Sequence, residues 1–202
     1  MKGYHILNFA NKLLDFLKMA RNIRHPRLSY REPNGKTILV LGNGPSAALL
    51  KGKNELIGGA IEMVCVNDFA TSSLFTLYKP NRYLIWDPAY WTPLEQTNKI
   101  DFENRIKTLN CLVKNTTWNL NFYCPIEALK SGSLDILADN PLISIIPINR
   151  CELSLTDKPY YYKALEKNYG SPSVNVLTIA IWLSINLGYT KVFLIGAENS
   201  WT

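Results

Sequence analysis

The sequence predicts an α/β protein with a doubly wound, mainly parallel sheet that carries helices on both faces. Short apolar runs rich in β-branched residues alternate with helical segments, which is the order typical of this fold class. Several of these runs end in small polar residues or in a glycine turn, and open α/β sheets bind ligands at such strand ends. The hydrophobic fraction of 47% is enough to fill a packed core. An amphipathic helix precedes the whole pattern.

The chain divides into a basic arm and a neutral core. We predict that residues 1–35 form a helical arm and linker, and that residues 36–202 form the α/β domain. Residues 1–36 carry eight Lys and Arg against two acidic residues, so the net charge of +6 lies in this part. Because these cations lie on one helix and are not interleaved with exposed aromatic residues, we expect no nucleic-acid partner.

The arm contains apolar residues at helical spacing from Tyr4 to about Ile23, which predicts a helix with a basic C-terminal end. Two interpretations stay open. The arm lies on an anionic membrane surface through residues 1–30, or it packs against the core or a second subunit. The only two histidines, His5 and His25, also lie in the arm, and we expect them at the surface.

Cysteine spacing and hydropathy bear on the compartment. The four cysteines (Cys65, Cys111, Cys124 and Cys151) show no C-x-x-C spacing, and Cys65 falls inside a predicted strand, where a buried free thiol is usual. The sequence has neither a secretory signal nor an apolar stretch long enough to span a bilayer. We therefore expect a reduced, cytoplasmic protein, either free or peripheral on the inner face of the cytoplasmic membrane.

The core elements follow in chain order. The runs predicted to be strands are Thr37–Leu41, Glu62–Val66, Arg82–Trp86, Asn119–Tyr123, Ile143–Ile148 and Lys191–Ile195. The last of these is expected to be buried, because it is almost wholly apolar. Helices are predicted between Thr92 and Val113 and over Val174–Leu187, with Gly188 ending the second helix.

The first strand runs directly into a glycine turn. Gly42 and Gly44 allow backbone angles and close approaches that a side chain would block, and Pro45 suits the first turn of a helix. A strand, a glycine turn and a helix start together can present backbone N–H groups to a phosphate. Asn43 adds an amide at the apex of the turn. The alternative is an ordinary strand-to-helix turn.

Polar residues at the other strand ends and at the start of the apolar helix extend this candidate edge. Asn and Asp at such positions are equally suited to capping and turn formation, so each of them keeps that alternative. The candidate nucleotide- and donor-binding residues are Gly42, Asn43, Gly44, Pro45, Ser46, Asn67, Asp68, Asp87, Ser171, Ser173, Asn175, Gly196 and Glu198.

Four ordered motifs carry a family resemblance that covers roughly residues 37–201. They are G-N-G-P-S at 42–46, V-N-D-F at 66–69, D-P-A-Y-W at 87–91 and L-G-Y-T-K-V-F-L-I-G-A-E at 187–198. The set resembles the bacterial sialyltransferases of glycosyltransferase family 42 and the domain-of-unknown-function-115 group, which includes MptE-like hydroxymethylpterin diphosphokinases.

The resemblance implies a Rossmann-like sheet that binds a CMP-sugar donor, with Asn43 and Asn67 contacting the nucleotide. Asp87 departs from the family, which has an asparagine there. The implied function is a nucleotide-sugar-dependent glycosyltransferase of bacterial surface-polysaccharide synthesis, with a glycan or lipid-linked acceptor. The alternatives are an MptE-like nucleotide-dependent diphosphokinase and a nucleotide-binding protein without activity.

Two expectations qualify this function. The family's histidine base lies beyond the strand at which this chain ends, and residues 37–202 contain no histidine. The catalytic residues therefore stay unidentified, and we expect the domain to be truncated at its C-terminus. We expect no metal or other cofactor, because the sequence has no Asp-x-Asp pair and a CMP leaving group does not require one. A homo-oligomer is compatible with the sequence.

Overall fold

The computed structural model describes residues 9–17, 20, 36–53, 61–150 and 175–198. It contains a six-stranded parallel sheet in the order β5-β4-β3-β2-β1-β6. The strands are β1 (Thr37–Leu41), β2 (Glu62–Val66), β3 (Arg82–Leu84), β4 (Leu120–Pro125), β5 (Ile143–Ile148) and β6 (Lys191–Ile195). The predicted α/β fold is confirmed.

Five α-helices and several short 3-10 helices accompany the sheet in the described residues. The α-helices are α1 (residues 9–17), α2 (Ser73–Tyr78), α3 (Lys99–Asn115), α4 (Ile126–Lys130) and α5 (Val176–Asn186). The 3-10 helices are Pro45–Leu50, Asn67–Thr71, Pro88–Tyr90, Leu94–Gln96 and Asp135–Asp139. The remainder of the predicted arm and linker, with His5 and His25, lies outside the described residues, as does Cys151.

Both faces of the sheet are covered, because alternate residues of its strands enter two separate apolar cores. Leu39 of β1 packs in the core that contains Leu112 of α3. Val40 packs in the core that contains Leu183 of α5. Cys65 is fully buried and free, as the sequence predicts.

Element ends differ from the prediction where a side chain takes over a backbone hydrogen bond. β3 ends at Leu84 and not at Trp86, because the Trp86 N–H donates to the Asn67 side chain (3.2 Å). α3 begins only at Lys99, where the Asn98 side chain accepts from the Asp101 N–H (2.9 Å).

The C-terminal end of α5 confirms the predicted helix stop at Gly188. Gly188 has a φ of +85°. Its N–H donates to Ile185 O (2.9 Å), and the Tyr189 N–H donates to Ser184 O (3.2 Å). These two bonds form the Schellman motif, which needs a left-handed residue at this position and therefore favours glycine.

The expectation that Lys191–Ile195 is a buried strand is wrong. Among the strands of the described residues, β6 lies at an edge of the sheet and pairs only with β1. As a result, Phe193 and Leu194 remain 55% and 40% exposed. Apolar composition predicts a strand, but the position of that strand within the sheet decides how far its side chains are buried.

The strand order also locates the crevice where ligands bind in this fold class. Strands β1 to β5 follow one another in one direction across the sheet, whereas β6 lies on the other side of β1. The order therefore reverses at β1. The carboxyl end of a strand at such a switch point borders the usual ligand crevice of open α/β sheets.

Candidate functional site

The glycine turn after β1 lies against the turn after β6, backbone to backbone. The Gly42 N–H donates to Ile195 O and the Gly44 N–H donates to Gly196 O, both at 2.9 Å. A Cβ atom on Gly42 would lie 2.1 Å from Gly196 O, and one on Gly196 would lie 2.3 Å from Gly42 O. Only glycines fit at this contact between the two turns.

Ser46 and Glu198 add further hydrogen bonds to the contact between the two turns. The Gly196 N–H donates to Ser46 Oγ (2.8 Å), and the Ser46 N–H donates to the Glu198 carboxylate (3.3 Å). The hydrogen bond with the Ser46 side chain is the main reason that the pKa of Glu198 lies below its usual value. Glu198 therefore favours its charged form in this place.

The N–H groups of Gly42, Gly44 and Ser46 are all engaged within the protein. These three N–H groups are therefore not available to bind a phosphate, which differs from the prediction made for this turn. Pro45 begins a 3-10 helix of six residues, with Gly44 at its N-cap. In this arrangement the turn after β1 holds the carboxyl ends of β1 and β6 together, and the negative charge near the turn comes from Glu198.

Asn67 connects the carboxyl ends of β2 and β3. Its φ of +45° is a left-handed conformation that Asn tolerates better than most residues. Its side-chain oxygen accepts from the Trp86 N–H, and its backbone oxygen accepts from the buried Tyr83 hydroxyl. Because the amide oxygen is occupied, the amide NH₂ is the part of this side chain that remains for a ligand.

Asp68 is an exposed carboxylate held by two hydroxyl groups. Its Oδ1 accepts from the Tyr90 hydroxyl at 2.5 Å and from the Thr108 hydroxyl at 3.0 Å. Burial raises the pKa of Tyr90, and the charge of Asp68 raises it further. The Tyr90 hydroxyl therefore stays protonated and able to donate to Asp68.

Two other predicted residues act as helix caps. The Asp87 side chain accepts from the Ala89 N–H (2.9 Å) at the start of Pro88–Tyr90. The Asn175 side chain accepts from the Leu177 and Thr178 N–H groups (2.9 and 3.3 Å) at the start of α5. Ser171 and Ser173 lie outside the described residues.

A cleft of about 250 Å³ opens between the turns that follow β1 and β2. Its lining residues are Asn43, Ala47, Asp68, Phe69, Thr71 and Ser72. The Asn43 Nδ2 atom lies 3.5 Å from Val66 O, at the limit of a hydrogen bond. The cleft brings together the predicted residues Asn43 and Asp68, an amide and a carboxylate.

The structure adds residues that the sequence analysis did not select. Thr71 and Ser72 line the cleft, and Tyr90 and Thr108 hold Asp68. Tyr90 lies within the D-P-A-Y-W motif, so the sequence contained a reason to select it. Thr108 is 40 residues from Asp68 in sequence, and no motif around Thr108 indicates that it contacts Asp68.

The charges that the described strand ends expose are mostly negative. Asp68, Asp87 and Glu198 are all exposed. Arg150, which follows β5, lies with its guanidinium 5.6 Å from the ring centre of Trp91. Within the described ranges, no group of three or more His, Cys, Asp or Glu residues is arranged to hold a metal ion.

Comparisons with protein-family models, with curated proteins and with solved structures find no match to this chain.

Proposed function

We propose that this chain is the donor-binding part of a glycosyltransferase that uses a nucleotide sugar, with a CMP-sugar as the donor. The observation that carries the proposal is the cleft at the carboxyl ends of β1 and β2, where Asn43 and Asp68 meet. An amide both donates and accepts, and a carboxylate accepts, so together they suit a hydroxyl-rich ligand with a polar base. The surface polysaccharides of a bacterium are the proposed destination of the sugar.

The exposed carboxylates favour a donor with little phosphate. A triphosphate beside Asp68 and Asp87 would be repelled unless a cation neutralised it. A CMP-sugar carries one phosphate, so the two carboxylates repel it less than they repel a triphosphate. The same two carboxylates are ligands of the type that Mg²⁺ prefers, and this keeps the diphosphokinase as the second candidate, since phosphoryl transfer from ATP uses bound metal.

Calorimetric titration with CMP, and separately with ATP and magnesium, tests this function. We expect CMP to bind and Asn43→Ala to weaken its binding at least tenfold, because the apex amide lines the cleft. Asn115→Ala, at the exposed end of α3, is the matched control and should bind CMP as the wild type does. Magnesium-dependent binding of ATP without binding of CMP would replace the glycosyltransferase with the diphosphokinase.

We further propose that the arm holds the enzyme at an anionic membrane. The large apolar side chains of α1 are at least half exposed, whereas Asp15 on the same helix is buried. The exposed apolar residues are Phe9, Leu13, Leu14, Phe16 and Leu17. An apolar helix face in a segment of net charge +6 suits a surface of anionic lipid. In the described residues, no helix has the length and apolar character needed to cross a bilayer.

Vesicle cosedimentation tests the arm. We expect the full chain to bind vesicles that contain anionic lipid at low salt, and to be released at high salt. Changing Leu13 and Leu17 together to Glu should abolish binding, whereas Leu49→Glu, at a still more exposed leucine on Pro45–Leu50, should not. Absence of binding at low salt would remove the membrane role. If the wild type self-associates and the double variant does not, the apolar face of α1 binds a second copy of the chain and not a membrane.

A further inference from the structure

The carboxylate of Asp68 is oriented before any ligand arrives. Tyr90 comes from the 3-10 helix after β3 and Thr108 comes from α3, and both donate to the same oxygen, Oδ1. Two donors on one oxygen fix the plane of the carboxylate as well as its position. Thr108 is fully buried and Tyr90 nearly so, so both donors are held by the core.

The other oxygen of this carboxylate is free to accept. Among the described residues, Oδ2 receives no hydrogen bond, and Asp68 lines the cleft beside Asn43. An ionised carboxylate only accepts hydrogen bonds, so the group that it binds must be a donor. A phosphate does not fit here, because it offers the same negative charge. Hydroxyl groups of a sugar meet both requirements.

The position of Asp68 indicates which sugar it meets. It follows β2, the strand beside β1, and in the dinucleotide sites of doubly wound α/β sheets an acidic residue about 20 residues after the glycine turn accepts from a ribose hydroxyl. We propose that Asp68 binds the vicinal hydroxyls of the nucleotide's ribose and so selects ribonucleotides over 2′-deoxyribonucleotides. This inference rests on the proposed nucleotide function. Tyr90 and Thr108 are its positioning residues.

Titrations of the full chain with CMP and with 2′-deoxy-CMP test the inference. We expect the wild type to bind CMP at least tenfold more tightly than 2′-deoxy-CMP. Asp68→Asn should lower the affinity for CMP and bring this ratio close to one, since an amide presents a donor or a weaker acceptor. Asp139→Asn, at an exposed aspartate away from the cleft, should leave the ratio unchanged.

Variants of Thr108 separate orientation of the carboxylate from general stability. Thr108→Val removes one donor to Oδ1 and should reduce the ratio of the two affinities, whereas Thr108→Ser keeps the hydroxyl and should restore it. A purely structural role of Thr108 would change the unfolding midpoint and leave the ratio as it is. Thermal unfolding of each variant shows that the titrated protein is folded.

The outcomes distinguish this inference from the function on which it rests. Equal affinities of the wild type for CMP and 2′-deoxy-CMP would overturn the role of Asp68 and leave a CMP site in place. If Asp68→Asn weakened only a CMP-sugar and not CMP, the carboxylate would bind the transferred sugar, which would also overturn the ribose assignment. Absence of binding of both nucleotides to folded protein would overturn the inference together with the proposed function.

Discussion

Replacing Gly42 by alanine is expected to destabilise the protein by about 3 kcal/mol, the upper part of the range for overpacking a close contact. The added Cβ would lie 2.1 Å from the Gly196 carbonyl oxygen and 2.9 Å from its carbon, and both are backbone atoms that cannot rotate away. Gly196→Ala should cost about 1–2 kcal/mol more, since a φ of +76° adds left-handed strain to the same clash. Urea unfolding measures each free energy.

Gly52→Ala is the matched control for these two variants. Gly52 has a φ of +85°, but a Cβ placed there meets no atom of the described residues within 4 Å. It therefore isolates the conformational strain, which we expect to cost about 1–2 kcal/mol. If Gly42→Ala were no more destabilising than Gly52→Ala, the turns after β1 and β6 would not be in contact in solution.

Tyr83→Phe is expected to cost about 2 kcal/mol, although the ring itself is kept. The Tyr83 hydroxyl is fully buried, accepts from the Ala70 N–H (2.9 Å) and donates to the Asn67 backbone oxygen. Its removal takes one hydrogen bond from each of two backbone groups of the 3-10 helix Asn67–Thr71, at about 0.5–1.5 kcal/mol for each bond. The stacked ring of Phe122 is unaffected.

Calorimetry adds a second measurement to this variant, because the Asn67–Thr71 segment carries Asp68 and part of the cleft. We expect Tyr83→Phe to weaken CMP binding as well as stability. Tyr189→Phe is the control, since that hydroxyl donates to the carboxylate of Glu62 (2.5 Å), at the first residue of β2. Tyr189→Phe should cost about 1.5 kcal/mol, because the lost hydrogen bond goes to a charged group, and should leave CMP binding unchanged. Wild-type stability in Tyr83→Phe would contradict the bonding described for its hydroxyl.

The sequence predicts the strands well because each is a local run of apolar, β-branched residues. The bounds of β1 and β5 agree with the prediction residue for residue. The exposure of β6 could not be predicted in this way, because it depends on which strand lies beside it. The start of α3 depends on the helix cap at Asn98, and the pattern of apolar residues does not indicate this cap.

The candidate site was only partly predictable for the same physical reason. The G-x-G pattern marks a place where side chains are excluded, but not what excludes them. The excluding group is the turn at Gly196, which lies 150 residues beyond Ser46 in sequence. The hydroxyl groups that orient Asp68 likewise come from segments 22 and 40 residues away. Contacts of this kind arise only from the tertiary fold.

The place of β6 beside β1 has a consequence for biosynthesis. Each of the strands β2 to β5 pairs with the strand immediately before it in the chain, so each can join the sheet soon after it leaves the ribosome. β1 must instead keep one edge unpaired until Lys191–Ile195 has been made. Closing so long a loop raises the contact order and slows the last step of folding. On the nascent chain, we expect the open edge of β1 to be the segment that chaperones protect longest.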